Sequence, residues 1–159
     1  MARYSYKKAL QLLTEWAYKE GYTEISFDHT SVSYVSAKKM TLNTPSKIKI
    51  EGSYSTEYQV YLLLHELGHH QLRKDWDKFS AIFPVSAHAE EQHLENNDPK
   101  FKRRVMYDVS CMEEEFMAWN EGYNLGIELG IKINMDKWLE LRAKCLMSYM
   151  RYYGKKKYY

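Results

Sequence analysis

Residues 59–70 read Gln59-Val60-Tyr61-Leu62-Leu63-Leu64-His65-Glu66-Leu67-Gly68-His69-His70, and the fold has to be built around them. Wound as a helix, His65 and His69 sit one turn apart, with Cβ atoms roughly 5–6 Å from each other. Two imidazoles so placed offer two nitrogens to a single ion, which is half of a tetrahedral zinc site. Glu66 follows the first histidine directly. Its carboxylate therefore lies beside the open coordination position, where it can serve as a general base. The flanking residues decide whether such a helix lies inside the protein. Val60, Tyr61, Leu62, Leu63, Leu64, Leu67 and Leu72 point in nearly every direction around it, and a helix apolar all round is buried. Buried histidines and a buried glutamate need partners, because an unpaired polar group in an apolar interior is strongly destabilising. Zinc supplies that partner, so one Zn2+ per chain is the expected cofactor; the alternative is metal-free core histidines held by hydrogen-bond partners.

Working outward, Gly52 and Ser53 break the chain before this helix, Ser55 or Thr56 caps it, and it runs to about Lys74. Just upstream, Lys47-Ile48-Lys49-Ile50-Glu51 alternates with its isoleucines inward. Lysines on such a strand suggest a sheet edge, and an edge near a zinc site can take an extended peptide by β-addition. Thr23 to Phe27 and Val32 to Val35 read as two further short strands. Ser5 is the N-cap of a first helix in which Tyr6, Ala9, Leu10, Leu13, Trp16 and Ala17 recur at three and four, ended by Gly21. Downstream, residues 75–104 are polar and carry Pro84, Pro99 and Asn96-Asn97-Asp98. A loop of that length serves as a lid or substrate rim or is mobile, interrupted at most by a short helix from Ala87 to Leu94. A long helix follows from Val105 to Leu129. A last one, capped by Asn134 and ended by Gly154, reads as a cover for the core.

A catalytic zinc site takes a third protein ligand and keeps one position for water. Asp75 is correctly spaced for the extended form of the motif, but Leu72 stands where that form needs a glycine turn, and the helix carries Asp75 away. His88 and His93 lie in the polar segment as surface histidines. The run Met112-Glu113-Glu114-Glu115-Phe116 is more informative. At 100° per residue, Glu115 falls inside the apolar arc of Met112, Phe116, Trp119, Tyr123 and Ile127, whereas Glu113 and Glu114 fall toward the polar side. A lone glutamate on a buried face is the one that needs a cation. Glu115 is the expected third ligand, with Glu114 second. Ala118 and Gly122 on the same side allow close approach to the histidine helix. Asp108, two turns earlier on that arc, is placed to orient a ligand histidine from behind.

The 159 residues carry a formal charge of +2, a balance that by itself implies no nucleic-acid partner. Residues 1–154 are expected to form one domain, followed by the basic tail 155–159, whose lysines and tyrosines are the one feature suited to touching nucleic acid. Cys111 and Cys145 match no CxxC ligand spacing and read as reduced core thiols. No secretory leader or membrane-spanning stretch is recognisable, so the expected location is cytoplasmic and no membrane partner is expected.

With His65-Glu66-Leu67-Gly68-His69 and Glu115 in place, the chain resembles the zincin metallopeptidases. Within them it is similar to the gluzincin arrangement, in which a downstream helix gives a glutamate. The order of elements over residues 45–130 looks like the minimal domains of the ImmA/IrrE-like and SprT-like kind, although Trp119 stands where many gluzincins have an aspartate. The resemblance implies an α+β, zincin-like fold: a small, mostly antiparallel sheet packed on a central helix carrying the motif, with further C-terminal helices. It implies a zinc metalloprotease, a hydrolase of peptide or protein substrates, with His65, His69 and Glu115 as ligands and Glu66 as base. A further donor to the reaction's oxyanion is expected, with Tyr107, His88 and His93 as candidates. The competing expectation is a non-catalytic module of the same fold that uses zinc structurally and acts by protein contact.

Overall fold

The computed structural model describes residues 5–28, 34–35, 46–92, 98, 100–101 and 104–155. His93 and Lys156 to Tyr159 lie outside the described residues, as do parts of 75–104. The first helix, α1 (Tyr6–Lys19), starts at Ser5, whose hydroxyl accepts from the amide of Lys8, and stops before Gly21 at φ 98°. That left-handed conformation suits glycine alone among common residues, and it turns the chain into β1 (Tyr22–Asp28). The strands β2 (Tyr34–Val35) and β3 (Ser46–Glu51) complete a sheet of order β1-β3-β2.

Two expectations about this sheet are corrected. Its longer pairing, β1 with β3, is parallel, and only the two-residue β2 runs antiparallel to β3. A parallel pair needs a crossover of a dozen or more residues, and the chain between Asp28 and Ser46 is long enough to supply one. β3 is also the central strand rather than an edge, since over Ile48 and Lys49 it is paired on both sides. Its lysines do not mark an edge: Lys47 and Lys49 make ion pairs with Glu24 and Asp28 on the neighbouring strand. Ile48 and Ile50 face the core as the alternation requires.

The motif helix, α2 (Thr56–Arg73), is capped by Ser55, which accepts from the amide of Tyr58. Every residue from Val60 to Gly68 is buried, as an all-round apolar helix predicts. The sheet and α1 pack on one side of it and a long helix on the other. The polar stretch after α2 is more ordered than a loop. Asp75 caps α3 (Trp76–Ile82) by accepting from the amide of Lys78, and α4 (Pro84–Glu91) begins with proline in its first turn. Phe79, Phe83 and Ala87 from these helices form a small second core with Leu72, Trp76 and Met117.

Among the described residues two further helices follow: α5 (Val105–Glu128) and α6 (Met135–Tyr153), the latter capped by Asn134. The start of α6 is fixed to α2 and α1 by polar contacts. The Asn134 amide donates to the Tyr61 hydroxyl at 2.8 Å, and Lys137 and Tyr6 reach the Glu57 carboxylate at 2.6 and 2.8 Å. No described helix is long and apolar enough to cross a membrane. The molecule is thus an α-rich α+β domain with the motif helix at its centre.

Candidate metal centre

The site is made where α2 and α5 cross, and two glycines set the crossing. A Cβ added to Gly68 would lie 2.8 Å from the backbone nitrogen of Gly122, and one added to Gly122 would lie 2.7 Å from the Leu64 carbonyl carbon. Such separations are closer than side-chain carbons tolerate, so glycine at both places lets the two backbones touch. This contact brings Glu115, one turn before Ala118 and Trp119, opposite the two histidines. Glu115 Oε2 lies 3.2 Å from His65 Nε2, and its Oε1 lies 3.5 Å from His69 Nε2. Ligating atoms of His65, Glu66 and His69 all fall within 4.8 Å of one another. His65, Glu66 and His69 thus form one close group on α2, and Glu115 of α5 meets both of its histidines.

The two histidines are held in different ways. His69 Nδ1 lies 3.1 Å from Glu114 Oε1. An ionised carboxylate only accepts, so this nitrogen carries a hydrogen, and Nε2, which faces Glu115, is the nitrogen left for an ion once that ion displaces its proton. Glu114 in turn receives Arg73, whose Nε and Nη2 approach Oε1 at 3.0 and 2.8 Å, and Arg73 Nη1 reaches Glu90 on α4 at 2.5 Å. The expectation of a solvated Glu114 is corrected: it is buried, 6% exposed, whereas Glu113 is exposed. The helical wheel missed this because the polar side of α5 here faces α2 and α4 rather than water. Sequence reasoning gave the orienting role to Asp108, but the carboxylate that meets a site histidine from behind is that of Glu114. Asp108 is buried two turns away, along a groove beside Ile82 and Phe83. His65 has no such chain. Its ring stacks on Trp119, with centroids 4.4 Å apart at 20°, and its Nδ1 is buried without a hydrogen-bond partner among the described residues. Trp119 leans edge-on against Trp138 of α6.

Burial raises the Glu66 carboxyl above its ordinary pKa, against the opposing charges of His65 and His69. For His69, burial works downward but is outweighed by the carboxylates of Glu114 and Glu115, which push it up to about 10. Glu115 shows the converse: burial works upward, and the facing imidazoles of His65 and His69 hold it far below the usual carboxylate range. Glu115 Oε2 is nevertheless buried and outside the hydrogen-bond geometry of any partner. Two inward nitrogens, one carboxylate with an orphaned oxygen and a second buried carboxylate make a donor set that suits a divalent cation such as zinc.

One element of the site was not expected. The second half of α6, read as a core cover, lies over it. Tyr149 and Cys145 are both pushed up in pKa by burial and then by the negative charges of Glu115 and Glu66, Cys145 to about 11. The signal was present in the four-residue spacing of Cys145, Tyr149 and Tyr153, three side chains with polar tips along one stripe. The remaining candidates fall elsewhere: Tyr107 packs against Phe101, and His88 is exposed on α4. Comparison with protein-family models, with curated proteins and with solved structures returned no match.

Proposed function

We propose that this protein is a zincin-like, zinc-dependent metallopeptidase that hydrolyses peptide bonds with Glu66 as general base. The observation that carries this reading is the convergence of His65 Nε2, His69 Nε2 and the Glu115 carboxylate, with Glu66 buried beside them. A purely structural metal site has no use for a fourth, free carboxylate at its open side.

His65, His69 and Glu115 would hold the ion, with Glu114 keeping the His69 ring turned so that Nε2 faces it. Zinc, when bound, supplies the Lewis acidity that makes water a competent nucleophile near neutral pH and polarises the scissile carbonyl. Glu66 would accept the proton of the attacking water on a carboxylate oxygen and pass it to the departing amine nitrogen. Tyr149, already beside Glu115, is the hydroxyl best placed to donate to the oxyanion.

The test is Glu66→Gln in the zinc-loaded protein. Hydrolysis of a peptide substrate should fall by about 10²–10⁴-fold while one zinc per chain is retained. Full turnover in this variant would overturn the mechanism. A second reading, a zincin-fold binding module with a structural zinc, is favoured by the low exposure of the centre, with His65 at 5% and Glu66 at 7%. It predicts stoichiometric zinc with no hydrolysis by the parent protein, and a partner interaction indifferent to Glu66→Gln.

A further inference from the structure

Beside the centre, α5, the end of α3 and the last turns of α6 enclose a groove of about 700 Å3. We propose that this groove is the substrate subsite next to the scissile bond, and that it takes a bulky apolar side chain of a peptide whose neighbouring residue is lysine or arginine. The inference rests on the peptidase reading above.

Three observations carry it. The walls are apolar and open: Val105, Val109, Phe116 and Met150 line the groove and are each about half exposed. A contiguous exposed apolar surface of this kind marks a place where something apolar binds. Among the described residues, the charged side chains that line it are acidic, Asp108 buried and Glu113 exposed, so Glu113 is the charge that a ligand meets. Arg142, which touches the lining residue Phe116, is occupied elsewhere: it stacks on that ring at 4.0 Å and bonds Asn120 one turn further along α5. A cationic neighbour on the peptide therefore matches the groove and an anionic one does not. The third observation is continuity with the centre. Met112 lies one helical turn before Glu115, and Phe116 follows it directly. On α6, Tyr149 lies close enough to Glu115 and Glu66 to feel their charge and Tyr153 lines the groove, their rings stacked 6.4 Å apart. A side chain seated in the groove thus brings its own backbone alongside the metal ligand.

The test measures binding apart from hydrolysis. Zinc-loaded Glu66→Gln protein is titrated by fluorescence anisotropy with four labelled peptides in a Gly-Ser background, carrying Leu-Lys, Ser-Lys, Leu-Glu or Ser-Glu at the centre. Leu-Lys should bind tightest, at least about tenfold above Ser-Lys. Adding Glu113→Lys should reverse the preference between Leu-Lys and Leu-Glu while keeping the preference for leucine. Adding Val109→Arg should remove the leucine preference. Both positions are exposed, so melting temperatures should hold, and if Val109→Arg fails to fold the Glu113→Lys result decides alone. Equal binding of the four peptides overturns the subsite even if the parent protein cleaves them all. So does a self-association seen by sedimentation and abolished by Val109→Arg, which would make the groove a contact between copies. Selective binding of Leu-Lys with no hydrolysis by the zinc-loaded parent keeps the groove as a peptide-binding site and overturns the peptidase reading.

Discussion

The two histidines of the centre look equivalent in the motif and are supported by opposite physics. His69 ends a chain of charge, running from Glu90 through Arg73 and Glu114 to its Nδ1. His65 is pressed into an aromatic stack of Trp119 and Trp138, with no polar partner on Nδ1 among the described residues. One ring is aimed by hydrogen bonds, which fix a tautomer. The other is aimed by shape, which fixes a plane. The difference teaches that disturbance on the His65 side should appear as lost stability, and on the His69 side as lost metal affinity.

The largest effect belongs to Trp119→Ala. It empties a fully buried site and should destabilise the fold by about 3–5 kcal/mol, read by denaturant unfolding of the zinc-free protein. A loss under about 1 kcal/mol would mean that the stack is not what positions His65. Next comes Glu114→Gln, which weakens the hold on His69 and on Arg73. Zinc affinity should fall by about 10–100-fold in competition with a chromophoric chelator, with far less loss of stability than Trp119→Ala causes. If the two variants change stability alike and leave affinity alone, the contrast between the rings disappears. Glu90→Gln acts one step further from the metal. Arg73 keeps its fork on Glu114, so the affinity should fall less than about tenfold, and a drop equal to that of Glu114→Gln would show that the chain acts as a unit.

The smallest effect is a control outside both sides. Burial raises the pKa of Glu57, but hydrogen bonds from Lys137, Tyr6 and Tyr61 outweigh it and leave the pKa below the ordinary value. A carboxylate depressed in the folded state stabilises at pH above its unfolded pKa, and that contribution is lost as pH falls through the folded value. The parent should therefore melt a few degrees above Glu57→Gln at neutral pH, and the gap should close in acid while zinc affinity at neutral pH stays the same. A gap that widened in acid would contradict the direction assigned to Glu57.

The sequence made some of this legible and hid the rest for definite reasons. An unbroken apolar run announced α2, and Ser5, Ser55 and Asn134 marked helix starts because each is a side chain that accepts from an amide two or three residues on. The parallel pairing of β1 and β3 was not legible, since alternation fixes which face is buried and not which strand lies beside it. The helical wheel brought Glu115 toward the histidines because Ala118, Trp119 and Gly122 beside it do face the core, although Phe116 and Ile127 of the same apolar arc are exposed. It misjudged Glu114, because a wheel cannot foresee that Arg73 and Glu90 arrive from other helices to neutralise a buried carboxylate. Tyr149 was missed for the same reason, its role depending on where α6 lies.

Gly68 and Gly122 were described as the place where two backbones touch. Their consequence concerns heredity as much as geometry. Each helix of the crossing is a ruler laid against the other, and the glycines are the mark at which the rulers are read. A single added methyl at Gly122, seven residues from Glu115 and with no ligand atom of its own, would slide or lift α5 and carry the carboxylate off both nitrogens at once. The residues that this protein cannot change are therefore more numerous than the residues that do its chemistry, and two of them have no side chain at all.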